Sequence, residues 1–285
     1  MADNIKKVTA RTFQKMKENK EKITMLTAYD FSTAKYIDEA GVDSILIGDS
    51  LGMTILGYDT TINVTVEDML IFTKAVSKGV NRALVIADLP FLSYHVSKEQ
   101  TIINAGKLIQ AGANAVKLEG ASDFILDEVK HLTQCGINVA GHLGFTPQYI
   151  NTIGGYFVQG KSYENTLKLL EAAKKLEENG AFCLILEMVP AETAKYISEN
   201  LSIPTIGIGA GKDCDGQVLV IDDIIGKYPK PVPKFVKQYA NVKEIIKTAV
   251  SEYNNEVKQN IFPNKENTFY LTDEEREKLE RNIIK

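Results

Sequence analysis

Short apolar, β-branched runs alternate along this chain with longer amphipathic stretches. The first kind reads as strands buried on both faces, the second as helices laid against them. The central run is Val42–Ile47, inside VDSILIGDSLG, which stops at Gly48 and hands over at once to Asp49, Ser50 and Gly52. Other runs predict strands at Ile23–Thr27, Arg82–Ala87, Ala115–Leu118, Asn138–Ala140, Phe182–Leu186 and Pro204–Ile208, with Val218–Ile221 as a weaker eighth. Helices are expected over Thr9–Lys20, Ser32–Ala40, Ser97–Ala111, Ser122–Gln134, Tyr163–Asn179 and Ala191–Asn200, and one more behind a Thr65 cap. Ser, Thr or Asp stands in front of most of them, and glycines such as Gly41 and Gly112 stop them.

Eight strands alternating with helices is the count of a (β/α)8 TIM barrel, and a doubly wound open sheet is the runner-up. Against the open sheet, no dinucleotide fingerprint follows the first strand, and polar residues close strands along the whole length. No repeat, low-complexity linker or composition break divides the chain, so residues 1–285 read as one barrel domain. Within it, 1–22 is an N-terminal helix capping one end of the core, 23–262 the barrel and 263–285 a charged C-terminal tail. Beyond Gly226 the chain is rich in Pro and Lys, then helical from Val242 to Lys258, with a further helix cap at Thr272. The barrel thus carries a C-terminal helical extension.

The length of 285 residues suits one barrel, a fold of typically about 250. A hydrophobic content of 44% allows a sizeable core, and a net charge of -4 argues against a nucleic-acid surface. No apolar run approaches about 18 residues, so no membrane span is expected. The start, MADNIKKVTARTFQKMKENK, lacks an apolar core and reads as no secretory signal. Cys135, Cys183 and Cys214 are odd in number and show no CxxC spacing, which points to reduced thiols and a cytoplasmic setting.

The candidate chemistry sits where apolar runs end. Asp49, Asp88 and Glu119 each close such a run. At the carboxyl ends of barrel strands they reach one mouth, and hard oxygen donors there suit Mg²⁺. One Asp after a strand is more often a solvated end or a helix cap; three in one barrel favour the functional reading. Lys117 lies two residues before Glu119 and so shares its face. Among carboxylates it stays protonated, serving as an oxyanion partner or a structural ion pair rather than a Schiff-base nucleophile. Glu187, in LILEMVP, has apolar neighbours that would desolvate it, which suits a general base; a helix cap at Pro190–Ala191 is the competing reading. His142, between glycines, can hydrogen-bond a substrate oxygen or be a structural histidine. His95 and His131 read as surface residues, and Gly207–Gly211 as a weak anion-binding candidate.

The segments TAYDFSTAK, GDSLGMTILGYDTT, ADLPF, GANAVKLEG, GHLGFTPQ, GGYFVQGK, LEMVP and IPTIGIGAG together resemble the ketopantoate hydroxymethyltransferase family, also called 3-methyl-2-oxobutanoate hydroxymethyltransferases. The resemblance runs from about Thr24 to Phe269. It implies a (β/α)8 barrel of the phosphoenolpyruvate/pyruvate type and Mg²⁺ as cofactor. The implied reaction moves a one-carbon unit from 5,10-methylenetetrahydrofolate to 3-methyl-2-oxobutanoate, the first committed step toward pantothenate and coenzyme A. Position by position, Asp49 and Asp88 match the metal-binding aspartates and Glu119 the third metal-associated carboxylate. Ser50 and Lys117 match residues that hold the keto acid together with the two aspartates, His142 a histidine near the substrate, and Glu187 the proton acceptor. The resemblance also implies a homo-oligomer, often a decamer. Phe145 stands where the family often has Leu. Asn267-Thr268-Phe269 departs from the usual acidic-His-Ser-Phe ending, and the charged tail after it is an extension.

Residues and resemblance together imply Mg²⁺-assisted removal of the C3 proton by Glu187, with Lys117 sharing the enolate charge. Two other readings compete. One is a carbon–carbon lyase acting on a 2-oxo or 2-hydroxy acid through the same enolate, which needs no folate. The other is a non-catalytic, metal-dependent binding protein.

Overall fold

A computed structural model describes residues 6–283 of the chain. Met1–Ile5, at the start of the predicted N-terminal cap, and Ile284–Lys285, at the end of the charged tail, lie outside the described residues. Eight parallel strands close into one barrel in chain order, β8 pairing back onto β1. They are β1 (Ile23–Thr27), β2 (Ser44–Ile47), β3 (Leu84–Asp88), β4 (Ala115–Glu119), β5 (Asn138–Gly144), β6 (Cys183–Glu187), β7 (Thr205–Ile208) and β8 (Gly216–Leu219). The helix α1 (Ala10–Glu18) precedes the barrel, and α2 (Phe31–Glu39) follows β1. A single turn, α3 (Leu51–Thr54), and the longer α4 (Val66–Gly79) link β2 to β3. Then come α5 (Lys98–Gln110), α6 (Asp123–Gln134), the turn α7 (Ile150–Ile153), α8 (Tyr163–Glu178) and α9 (Ala191–Glu199), each ahead of its strand. After β8 stand α10 (Ile221–Ile224), α11 (Val242–Lys258) and α12 (Asp273–Ile283).

The helix starts follow from local chemistry. Thr9, Asp30, Thr65, Ser97, Ser122 and Ser162 each accept a hydrogen bond from a backbone N–H in the first turn of the helix they open. Such a cap contributes about 1 kcal/mol.

Strand periodicity sorts the side chains into two cores. Outward residues such as Ile45, Ile47, Val85, Val116, Leu118, Leu184 and Leu186 pack under the helices. Inward residues Ile23, Met25, Leu46, Leu84, Ile86, Ala115, Ala140, Cys183, Ile185, Ile206 and Val218 fill the barrel with Phe13 of α1. Phe13 is fully buried and its ring lies 5.9 Å from that of Phe182, so α1 plugs the amino-terminal end of the barrel. Continuing the same inward rows toward the other end gives Asp88 after Ile86, Lys117 and Glu119 after Ala115, His142 after Ala140, and Glu187 after Ile185. One pattern therefore gives the barrel an apolar floor and an ionisable mouth.

The weak eighth strand is displaced from its expected place: it spans Gly216–Leu219, with Gly216 paired to Ile23. A side chain at Gly216 would strike the Ile23 carbonyl, so only glycine lets the last strand close the barrel. The Ile221 N–H donates to Thr27 Oγ1 instead of continuing the ladder. Beyond this point α11 stands apart, with no residue of its own buried.

Candidate active site

The register of the strands assembles the site. Asp88 is paired with Lys117 and Glu119 with His142 across adjacent strands, and Gly144 with Glu187. The buried Lys117 Nζ lies 3.3 Å from Asp88 Oδ1 and 3.5 Å from Glu119 Oε1. His142 comes next, its Nδ1 3.2 Å from Glu119 Oε1 and its Nε2 3.3 Å from Glu187 Oε2. The four strand ends thus carry a continuous charged row, Asp88–Lys117–Glu119–His142–Glu187. Asp49, on the turn after β2, joins it through its backbone N–H, which donates to Asp88 Oδ2 at 3.0 Å. Ser50 lies beside it, with its Oγ 2.8 Å from the Tyr29 hydroxyl.

All of the predicted site residues line one cavity of about 160 Å³ at the carboxyl end of the barrel. Leu46, Ile185 and Phe145 supply its apolar lining, and Tyr156 stands at the rim, its ring 5.0 Å from that of Phe145. A larger cavity of about 460 Å³ opens near the starts of β3 and β4. Its Arg82 and Asn114 are already engaged, with the Val42 carbonyl and Asp43 and with the Val85 N–H respectively.

Electrostatics single out the aspartates. Burial pushes Asp49 well above the usual carboxylate range, and the charges of Asp88 and Glu119 push it further. Burial also raises Asp88, against the pull of Lys117. Burial acts the same way on Glu119, but Lys117 and His142 outweigh it and hold this carboxyl below its ordinary value. For His142, burial and Lys117 push down while Glu119 and Glu187 push up, leaving it at about 8. Burial works against the charge on Lys117 too, yet the surrounding carboxylates raise it above the ordinary lysine value.

These groups fit a divalent cation with a preference for oxygen. Asp88 Oδ1 is buried and accepts no hydrogen bond, and only one oxygen of Asp49 is taken, by Gln148. Mg²⁺ is commonly held by one or two carboxylates together with water and substrate. Among the described residues, no three His, Cys, Asp or Glu side chains converge into a ready-made cage. Glu119, the third carboxylate of the expected donor set, faces His142 and Lys117 through Oε1 and accepts the Gln148 N–H through Oε2 at 3.0 Å.

Glu187 also differs from its sequence expectation. Its apolar neighbours Leu184 and Leu186 point outward to the helices, and its side chain keeps 17% exposure, open to the cavity. The helix after it starts from Pro190 without a side-chain cap, so Glu187 is not a helix cap. Met188, just beyond it, holds a left-handed φ of 48°, a conformation costly for a non-glycine residue.

Three residues of the site escaped the sequence reading. Gln148, Tyr94 and Tyr29 are buried and bonded to the charged row or to Ser50, and a buried polar residue in a loop carries no periodic signal. His95 is not a surface residue. It is half-buried, its ring 4.1 Å from that of Tyr94 and its Nε2 3.2 Å from the Tyr149 hydroxyl, because the loop after β3 folds back over β4. The glycines of Gly207–Gly211 serve packing: a side chain at Gly209 would strike the Phe235 ring, and one at Gly211 would strike Ala191.

Comparison with known proteins agrees with this architecture. Phosphonopyruvate hydrolase complexed with oxalate and Mg²⁺ superposes with a TM-score of 0.59 at 12% identity, covering 96% of this chain and 95% of that one. A 2,3-dimethylmalate lyase of the PEP mutase/isocitrate lyase superfamily superposes at 0.58 and 16% identity, covering 91% of each chain. At such identities these likenesses show the fold alone. Sequence relatives are much nearer. The 3-methyl-2-oxobutanoate hydroxymethyltransferase of Dehalococcoides mccartyi is 50% identical over 279 residues, 98% of this chain and 100% of its own. That of Clostridium novyi is 52% identical over 274 residues, 96% of this chain and 99% of its own. The family model for ketopantoate hydroxymethyltransferase matches residues 7–265. With full-length relatives at half identity and a family match over residues 7–265, the chain belongs to the ketopantoate hydroxymethyltransferase family of enzymes.

Proposed function

We propose that the cavity transfers a hydroxymethyl group from 5,10-methylenetetrahydrofolate to 3-methyl-2-oxobutanoate, giving 2-dehydropantoate for pantothenate synthesis. The observation that carries this reading is the placement of Glu187 and the Asp49–Asp88 pair on one small cavity, with Lys117 and His142 between them. Asp49 and Asp88 would hold the cation, Mg²⁺ in this reading. Bound there, it supplies a Lewis acid for the keto and carboxylate oxygens of the substrate.

The protein's own groups do the rest. Lys117, kept charged by Asp88 and Glu119, places a positive charge where negative charge gathers on the keto oxygen as C3 loses its proton. Glu187 takes that proton. His142 Nε2 faces its Oε2 at 3.3 Å without making a hydrogen bond, so a protonated His142 would steady the base by charge as well as contacting substrate. Ser50, braced by Tyr29, contacts the keto acid from the other side. Leu46, Ile185 and Phe145 receive its methyl groups. Water would release the one-carbon unit from the folate as formaldehyde, breaking both of its C–N bonds and leaving the water's hydrogens on the two folate nitrogens. The carbon freed of its proton then adds to that formaldehyde carbon, and the new alkoxide takes back the proton from Glu187 to become the hydroxyl.

The test is product formation from 3-methyl-2-oxobutanoate, with Mg²⁺ and the folate each supplied and withheld. This reading expects 2-dehydropantoate only with both present. Cleavage of a 2-oxo or 2-hydroxy acid without folate would instead assign a lyase.

We also read the chain as a subunit of a homo-oligomer, the family's decamer being the expected form. In support, α11 leaves Ile245, Ile246, Val250, Tyr253 and Val257 exposed at helical spacing, a stripe that ordinarily faces a partner. A solution mass of 31.5 kDa, that of one chain, would contradict it. A cytoplasmic setting is part of the same reading: Cys135, Cys183 and Cys214 are free, and no described helix is long and apolar enough to cross a membrane.

A further inference from the structure

Gln148 has no part in the chemistry above, yet it ties together more of the mouth than any residue in it. It sits in the single turn Pro147–Tyr149 after β5 and is buried. Its side-chain Nε2 donates to Asp49 Oδ2 at 2.9 Å and to the Leu89 carbonyl at 3.0 Å. Its Oε1 accepts from the Tyr94 hydroxyl at 2.7 Å, and its backbone N–H donates to Glu119 Oε2 at 3.0 Å. The Tyr94 oxygen in turn accepts the Glu119 N–H at 3.3 Å. One residue from the fifth strand's loop therefore grips the ends of β2, β3 and β4.

The orientation of the amide is not arbitrary. The Leu89 carbonyl only accepts, so the nitrogen must face it, and the remaining hydrogen then points at Asp49. The choice of an amide also has a consequence. A lysine or arginine here would neutralise Asp49 and compete with a metal ion, whereas a neutral N–H holds one oxygen and leaves the negative charge of the group in place. The same residue occupies Glu119 Oε2, which keeps that carboxylate turned toward Lys117 and His142.

We propose that Gln148 is a positioning residue for the cation site, locked in place by Tyr94: it fixes the rotation of Asp49 so that the other carboxylate oxygen faces the cavity beside Asp88. The proposal rests on the reading of Asp49 and Asp88 as the cation-holding pair and adds what orients them. Outer partners of this kind typically change metal affinity about 10–100-fold when removed.

The test is binding of Mn²⁺ alone to the full chain, followed by the electron paramagnetic resonance of the free ion, with no substrate present. Thermal unfolding runs in parallel. Gln148→Leu is expected to weaken Mn²⁺ roughly 10–100-fold, and Tyr94→Phe, which leaves Gln148 in place but unlocked, to weaken it in the same direction by less. Asp49→Asn separates the two levels of the argument. If it binds Mn²⁺ as the unmodified chain does, the cation pair itself is misassigned. If it loses the ion while folded Gln148→Leu and Tyr94→Phe keep full affinity, only the positioning role is overturned. Should Gln148→Leu fail to fold, Tyr94→Phe decides alone, since it deletes a single oxygen.

Discussion

Glu187→Gln is expected to lose turnover by roughly 10²–10⁴-fold, the usual yield of a positioned general base, while substrate binding stays close to unchanged. Gln has the shape of Glu and fills the same place beside His142 and the cavity, so the contacts proposed to hold the keto acid persist. What disappears is the group proposed to accept the C3 proton. A loss confined to kcat, with KM little altered, is the signature of an interaction that matters only as the proton leaves. Proton exchange at C3 should fall with turnover. If Glu187→Gln exchanges that proton at the unmodified rate, another group is the base, and His142, 3.3 Å away, is the next to examine.

Lys117→Met is the second large effect, and it falls on stability as well as activity. Lys117 Nζ sits within 3.5 Å of both Asp88 Oδ1 and Glu119 Oε1 in a buried setting. Met fills the space of the side chain without its charge and leaves those carboxylates and Asp49 facing one another. Removing one partner of a buried charge cluster costs about 3–5 kcal/mol. A bound divalent cation would take over part of the lysine's work, so added Mg²⁺ should restore more stability to the variant than it adds to the unmodified chain. At a ligand concentration 100 times Kd, binding contributes about 2.7 kcal/mol. Denaturant titration with and without Mg²⁺ measures both quantities. A variant as stable as the original in the absence of metal would show that Lys117 is not the counter-charge its surroundings suggest.

Much of this molecule is legible in its sequence because its physics is periodic. Runs such as Leu84–Asp88 and Ala115–Glu119 declare a strand buried on both faces, and the period of two then puts Asp88, Lys117 and Glu119 on the inner row. Caps such as Thr65 with Asp68 are written in adjacent residues and form as expected. What periodicity does not carry is register. Nothing in the chain says that Asp88 lies across from Lys117, or Glu119 from His142, until the barrel closes. The reading of three carboxylates on one ion came from counting acids at strand ends. What such counting does not supply is the set of neighbours, distant in sequence, that hydrogen-bond Glu119: His142 at Oε1 and the Gln148 N–H at Oε2. Gln148 was illegible for the same reason, being 99 residues from the Asp49 it holds. The eighth strand was misplaced because Gly216 joins the sheet for its lack of a side chain, which hydrophobic pattern cannot signal.

The account rests on an acidic pair and an adjacent base labilising one carbon–hydrogen bond before any carbon–carbon bond forms. The direct measurement is the proton spectrum of 3-methyl-2-oxobutanoate in D₂O with the unmodified protein and Mg²⁺, and no folate. The prediction is steady loss of the C3 proton signal, stopped by chelating the metal. An unchanged signal under those conditions, with turnover intact once folate is added, would contradict it.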